Sequence, residues 1–367
     1  MNDSLDIFLV TAPGLEHFLG QEAREAGFKV TANLVGGVSI KGGWSEVRRA
    51  NLTLRGATRV LVRLARFPVA NTAELDNRLR HLPWSDWLRR DVPVRADVSC
   101  RASKIYHEGD AKNRIERAIA MATGAETGAG ALVAIKARIE ENVCTLSVDT
   151  SGTSLHKRGT KEEVNKAPMR ETLASLFLRA AGFDGSEPVC DPMCGSGTFI
   201  LEAAERAAGL LPGRGRDFAY EYLATFDPAD REDVPQGRKS QPPHRFQGSD
   251  RDAGAIAMSR ANAERAGIAD LCTFETLPIS EVSPPDGPPG LVIVNPPYGQ
   301  RIGAKSPLFP LYAAFGTRMK EAFPGWRIGL VTSEAGLAKA TGLPFGKPGP
   351  HVDHGGTKVR LWQTKPL

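Results

Sequence analysis

The sequence predicts an α/β protein in two parts, an α+β portion over residues 1–150 and an alternating α/β portion over 167–367, joined by a polar Gly/Ser/Lys-rich crossing at 151–166. Two observations predict it. Short apolar runs begin at Val189, Phe246, Thr273, Leu291 and Arg327, with Ala-rich helical stretches among them, as in a sheet of parallel strands joined by helical crossovers. Before residue 150 the pattern changes to alternating runs at Val92–Cys100 and Ala131–Val148, with a helical stretch from Asn113 to Ala122 between them.

The elements follow in order. Met1–Val10 reads as a first strand, because the start lacks the basic leader and long apolar region of a secretory signal. A cytoplasmic location is the expectation. In the second part, Ile200–Ala208 and Asp252–Ala266 read as helices, the latter ended by Gly267. Asp227–Pro243, rich in Pro, Gly and charge, reads as an exposed insertion, and Lys358–Trp362 as the final strand.

Composition narrows the class. The chain has 367 residues with 41% hydrophobic content, enough for two or more cores, and no apolar stretch of membrane-spanning length. Its five cysteines (Cys100, Cys144, Cys190, Cys194, Cys272) form no Cys-x-x-Cys pair, so they read as buried thiols, with no disulfide framework and no zinc site. His351-Val352-Asp353-His354 reads as a loop before the last strand, and no metal is expected there. A net charge of +5 says little about nucleic acid by itself, but its distribution says more. Arg48, Arg49, Arg55, Arg59, Arg63 and Arg66 form one series, and Lys104, Lys112, Arg114 and Arg117 another, from which Arg55, Arg59, Lys104, Lys112 and Arg114 are candidate phosphate ligands.

Three motifs carry chemistry. Leu291-Val292-Ile293-Val294-Asn295-Pro296-Pro297-Tyr298-Gly299 places an amide, two prolines and an aromatic ring after a buried-type strand. An amine conjugated into a base is a poor nucleophile, and a site that methylates it needs acceptors for both of its N–H groups. The Asn295 side-chain oxygen and the Pro296 carbonyl can be those acceptors, and Tyr298 offers a face for an extruded base. Read alone, the segment is equally a strand followed by a Pro-Pro turn. Upstream, Asp191-Pro192-Met193-Cys194-Gly195-Ser196-Gly197-Thr198 ends a strand in a loop where Gly195 and Gly197 let the backbone approach a ligand. Asp250 closes another strand, where a carboxylate can accept both hydroxyls of a ribose.

With these motifs in this order, the chain resembles the THUMP-containing class I S-adenosylmethionine-dependent RNA methyltransferases. It is most similar to the bacterial enzymes that make N2-methylguanosine in 23S ribosomal RNA. The likeness extends to Ala12-Pro13-Gly14-Leu15-Glu16, Gly36-Gly37-Val38, Asn51-Leu52-Thr53-Leu54-Arg55, Ser103-Lys104-Ile105-Tyr106-His107, Leu155-His156-Lys157-Arg158-Gly159 and Ala167-Pro168-Met169-Arg170-Glu171-Thr172-Leu173. The resemblance implies a Rossmann-like methyltransferase domain after a ferredoxin-like and THUMP-type RNA-binding portion. It further implies that S-adenosylmethionine is the cofactor, held by Asp191, Gly195 and Gly197 at its methionine end, by Thr172 at its carboxylate and by Asp250 at its ribose. Asn295 would border both cofactor and base, with Asn295, Pro296 and Tyr298 as the catalytic set. Pro278 stands where relatives carry an acidic residue toward the adenine amino group, which leaves the Ile279 N–H for adenine and Ser280 or Glu281 as replacements. The implied partner is structured RNA, 23S rRNA or an assembling large subunit, met by a monomer.

Other readings remain: guanine-N2 methylation of tRNA, adenine-N6 methylation of DNA, and a non-catalytic RNA-binding factor of ribosome assembly. Cytosine-C5 methylation would need a cysteine nucleophile. Cys190, Cys194 and Cys272 lie instead on or near the cofactor-side elements.

Overall fold

The structure, a computed structural model, describes residues 4–159, 169–231, 240–298 and 308–367. Gly299, Ala167, Pro168, much of the expected crossing and part of the expected insertion lie outside them. The chain divides into two compact units that are not contiguous in sequence. One comprises Met1–Thr11, Gly20–Leu155 and Arg216–Pro235, and the other Ala12–Leu19, His156–Gly215 and Gln236–Leu367. No helix among the described residues is long and apolar enough to cross a membrane.

The first unit is built on a seven-stranded sheet of β1 (Leu5–Val10), β2 (Lys29–Leu34), β3 (Gly37–Gly42), β4 (Arg59–Pro68), β5 (Val94–Arg101), β6 (Val133–Glu140) and β7 (Val143–Asp149), in the order β2-β3-β1-β4-β7-β6-β5. All neighbours are antiparallel except β5 and β6. Residues of these strands form the core: Ile7, Leu9, Val60, Val62, Ile135, Leu146 and Val148 are buried, while Phe8 and Leu61 between them are only partly buried. The single alternating run expected over Ala131–Val148 is a hairpin, turned by Glu141 (φ 49°) and Asn142 (φ 61°). Two consecutive left-handed residues suit a tight hairpin turn, which a count of alternation alone does not reveal. Helices α1 (Glu16–Glu25), α2 (Trp44–Thr53), α3 (Thr72–Arg80), α4 (Trp84–Trp87) and α5 (Glu108–Thr123) complete this half of the element order. Helix α5 starts earlier than its apolar spacing suggests, because the His107 side chain accepts from the Asp110 N–H and so caps it.

The second unit has a seven-stranded sheet of β8 (Val189–Asp191), β9 (Phe246–Asp250), β10 (Cys272–Thr276), β11 (Leu291–Val294), β12 (Arg327–Thr332), β13 (Val352–His354) and β14 (Thr357–Gln363). Its order is β10-β9-β8-β11-β12-β14-β13, parallel from β10 to β12, with β14 antiparallel to β12 and to β13. Helix α6 (Glu171–Ala180) precedes β8, and α7 (Thr198–Ala207), α8 (Ala253–Ala266), α9 (Leu308–Ala322) and α10 (Ala335–Ala340) run between strands of this sheet. This is the expected α/β sheet with central strands buried on both faces: every residue of β8 and β11 is buried. Strand order places β9, β8 and β11 side by side, so their carboxyl ends lie at one edge, where ligands of open parallel sheets bind.

Candidate active site at the carboxyl ends of β8, β9 and β11

The loop after β8 is shaped by hydrogen bonds from its own strand and the next. Asp191 is 2% exposed, and its Oδ1 accepts the Met193 N–H at 3.1 Å. The Cys194 N–H donates to the Ser249 carbonyl at 2.9 Å and the Gly195 N–H to Asp250 Oδ2 at 3.0 Å, which ties the loop to the end of β9. Asp250 Oδ1 accepts the Asp252 N–H at 3.0 Å, and Asp252 in turn caps α8. From α8, Ser259 Oγ donates to the Gly195 carbonyl at 2.8 Å and Asn262 Nδ2 to the Ser196 carbonyl at 3.2 Å.

Glycine is required here for two reasons. Gly197 has φ +82° as the residue before α7, and a side chain on it would press on Ser259. Gly195 has φ +54°, and a Cβ there would meet nothing within 4 Å. Its Cβ side is open space, and its N–H is held by Asp250.

Burial pushes the Asp191 carboxyl well above the usual carboxylate range; the Met193 N–H opposes the shift and the charge of Asp250 adds to it. The same burial, with Asp191 and Asp250 adding, pushes the Cys194 thiol well up, and burial pushes Cys190 up too. Neither thiol is prepared to be a nucleophile, which agrees with setting ring-carbon methylation aside.

After β11 the chain enters Asn295-Pro296-Pro297-Tyr298. The Asn295 Oδ1 is buried with no hydrogen-bond partner, one of few such atoms among the described residues. A buried acceptor left unpaired costs about 1–3 kcal/mol, so its presence at a strand end points to a donor that arrives with a ligand. Pro296 is buried and Tyr298 half-buried, packed against the core cluster that includes Tyr312 and Phe315. The Tyr312 hydroxyl donates to the Pro297 carbonyl at 3.2 Å and reaches Thr332 Oγ1 at 3.3 Å. Tyr312 was not singled out from the sequence, since only the fold brings α9 onto this turn.

The remaining expected cofactor residues lie in the same unit. Thr172, on the first turn of α6, is 1% exposed. Ile279 opens a short 3-10 turn over Ile279–Glu281 with Pro278 before it, and the Leu277 N–H donates to the Asp250 carbonyl at 3.0 Å.

The candidate phosphate ligands fare unequally. Arg55 is only 7% exposed, in a turn whose Arg55 and Gly56 N–H groups donate to the Glu22 carboxylate at 2.7 and 2.9 Å. Arg59 pairs with the fully buried Asp149 and donates to the Gly152 carbonyl at 2.6 Å. Arg114 is held by Asp110 at 2.8 Å and by Asp76. The guanidinium groups of Arg59 and Arg114 thus face carboxylates within the protein and Arg55 is buried, which leaves these three less accessible to a phosphate than a solvent-facing lysine. Lys104 is exposed, and Lys112 is 44% exposed with Glu116 at 3.9 Å, so both remain accessible.

Residues 158–344 match the model of the RMKL-like methyltransferase domain, and residues 6–61 that of the RlmL ferredoxin-like domain. The chain belongs to the RMKL-like methyltransferase family. It is 31% identical, over 94% of its length, to the ribosomal RNA large subunit methyltransferase K/L of Psychromonas ingrahamii, and covers 48% of that protein. The chain thus spans about half the length of the curated relatives it matches. Among solved structures, a protein of Clostridium difficile 630 described as a possible methylase superposes with a TM-score of 0.90 at 26% identity, covering 100% of this chain and 99% of its own. SMU.472, crystallised in complex with SAH, superposes with a TM-score of 0.85 at 25% identity, covering 100% and 99%.

Proposed function

We propose that this chain methylates the exocyclic N2 of a guanine in structured RNA, with 23S ribosomal RNA, free or in an assembling large subunit, as the substrate. It would act in the cytoplasm as a monomer with S-adenosylmethionine as methyl donor. The observation that carries this reading is the buried, unpartnered Asn295 Oδ1, set between two prolines and the β11 strand at the edge where the Gly195 and Asp250 loops also end. The family membership, the printed name of the ribosomal RNA relative and the SAH held by SMU.472 support it.

The residues at the strand ends fit such a donor. The open side of Gly195 offers backbone approach, and each oxygen of Asp250, though already accepting one N–H, retains a lone pair for a ribose hydroxyl. Asp191, Gly195 and Gly197 would hold the methionine end, Thr172 its carboxylate, and the Ile279 N–H the adenine. When bound, S-adenosylmethionine supplies a methyl group already activated as an electrophile, so no strong base is needed.

The chain's part is positioning. Asn295 Oδ1 accepts one N–H of the target amine and the Pro296 carbonyl the other, which turns the nitrogen lone pair toward the donor. Tyr298 stacks on the extruded base. Neither acceptor takes the proton, which passes to solvent. In the first unit, Lys104 and Lys112 would contact phosphates without reading sequence.

The test is direct. Full-length protein is incubated with methyl-labelled donor and 23S rRNA lacking the modification, and the RNA is digested to nucleosides. Label in N2-methylguanosine is expected. Label only in N6-methyladenosine would move the reading to adenine, and no label with any RNA would leave a non-catalytic binding protein.

A further inference from the structure

One residue near the candidate site has no part in the reading above. His354 ends β13 and precedes Gly355 (φ +60°) and Gly356 (φ +82°), the two left-handed residues that turn the edge hairpin into β14. It is 9% exposed, and its Nδ1 lies 2.7 Å from the Tyr298 hydroxyl. The hydrogen bond therefore joins the outermost hairpin of the sheet to the last residue of the Asn295–Tyr298 turn.

The two ends of that turn are held differently. Up to Pro297 the path is fixed by the proline rings and by the Tyr312 hydroxyl on the Pro297 carbonyl. Beyond it, the half-buried Tyr298 ring packs against the core cluster and turns on two side-chain torsions, the outer of which is soft in a tyrosine. A stacking face is useful only at a fixed angle to the Asn295 acceptor, because the base plane must bring its amine onto that oxygen. A hydrogen bond at the far end of the ring holds its swing about the inner torsion; the hydroxyl lies on the axis of the outer one, which the packing against the core cluster restrains.

We infer that His354 is a positioning residue for the target base, acting through the Tyr298 hydroxyl to fix the ring on which the extruded base stacks. This rests on the proposed stacking role of Tyr298. A merely structural histidine, pinning the hairpin to its domain, would affect melting and leave the kinetic split between RNA and donor unchanged.

The test is a set of full-length variants assayed at saturating donor with varied RNA: Tyr298→Ala, Tyr298→Phe, His354→Ala, His354→Asn, and Tyr298→Phe combined with His354→Ala. Tyr298→Phe keeps the ring and removes the bond, and His354→Asn places an amide where Nδ1 stood. Losing one buried hydrogen bond corresponds to about a 5- to 10-fold change. We expect KM for RNA to rise by about that factor in Tyr298→Phe and in His354→Ala, no further in the double variant, and to recover in His354→Asn. The dissociation constant for S-adenosylmethionine, measured by calorimetry, should be unchanged throughout. The inference is overturned if Tyr298→Phe keeps the wild-type KM, a result that stands even if His354→Ala fails to fold. It is equally overturned if the two single effects multiply in the double variant. Failure of the parent reading looks different: Tyr298→Ala would then methylate RNA at the wild-type rate.

Discussion

Asp250→Ala separates the donor site from the RNA site, and its size can be worked from the hydrogen bonds. Asp250 Oδ2 holds the Gly195 N–H and Oδ1 the Asp252 N–H, each at 3.0 Å. An N–H bonded to a carboxylate contributes about 1.5–3 kcal/mol, and for this half-buried group the lower end applies, so loss of both would loosen the turn by about 3 kcal/mol. The lone pairs left on the two oxygens are the proposed acceptors of the ribose hydroxyls, and losing that pair should cost a further 2–3 kcal/mol, about 30- to 140-fold in donor affinity. Asp250→Asn, which keeps one acceptor, should fall between. The assay is calorimetric titration of S-adenosylmethionine into each variant, with thermal melting to confirm folding and a filter-binding assay to confirm that RNA affinity is retained. A folded Asp250→Ala protein that binds the donor within twofold of wild type would refute the ribose assignment.

Further outcomes are expected elsewhere in the second unit and on the first. Asn295→Ala should lower single-turnover methylation by about 100-fold or more with donor affinity nearly unchanged; near-normal turnover would remove Asn295 from the chemistry. Because burial raises the Asp191 carboxyl in the folded protein, its stabilising contribution is present below its unfolded value near about pH 4 and is lost as pH rises through the raised folded value. Asp191→Asn should remove that dependence and resist urea better than wild type above the window, and parallel stability curves for the two proteins would contradict the assignment. Lys104→Ala should weaken RNA binding and lower the slope of log affinity against log salt by about one, with donor binding unaffected; an unchanged slope would take Lys104 off the phosphate path.

The fold of the second unit was legible because its signals are local. A strand that ends in Asp191 or Asn295, followed by small or rigid residues, announces both a fold and a place on it, and the strand-end rule does the rest. The basic series was less legible. Arg55, Arg59 and Arg114 look alike in sequence, and what distinguishes them from Lys104 is burial, or carboxylates such as Asp149 and Asp76, which lie 90 and 38 positions away from Arg59 and Arg114. His354 reads in the sequence as part of a loop before the last strand for the same reason: it ends a strand instead, its partner Tyr298 lies 56 positions away, and only pairing of β13 with β14 places it. The discontinuous make-up of the two units was likewise hidden. Ala12–Leu19 counts with the second unit through contacts such as Gly14, where a Cβ would touch the His351 carbonyl at 2.9 Å, and nothing local in Ala12-Pro13-Gly14 signals that neighbour.

Asn295 and its neighbours are proposed to direct methyl transfer to guanine N2 in ribosomal RNA. The most direct measurement deletes the gene and maps modified nucleosides across 23S rRNA at single-nucleotide resolution, in the deletion strain and after complementation with wild type or Asn295→Ala. With that role, one N2-methylguanosine disappears on deletion, returns with the wild-type gene and does not return with Asn295→Ala. An unchanged 23S rRNA map, or full restoration by Asn295→Ala, would contradict it.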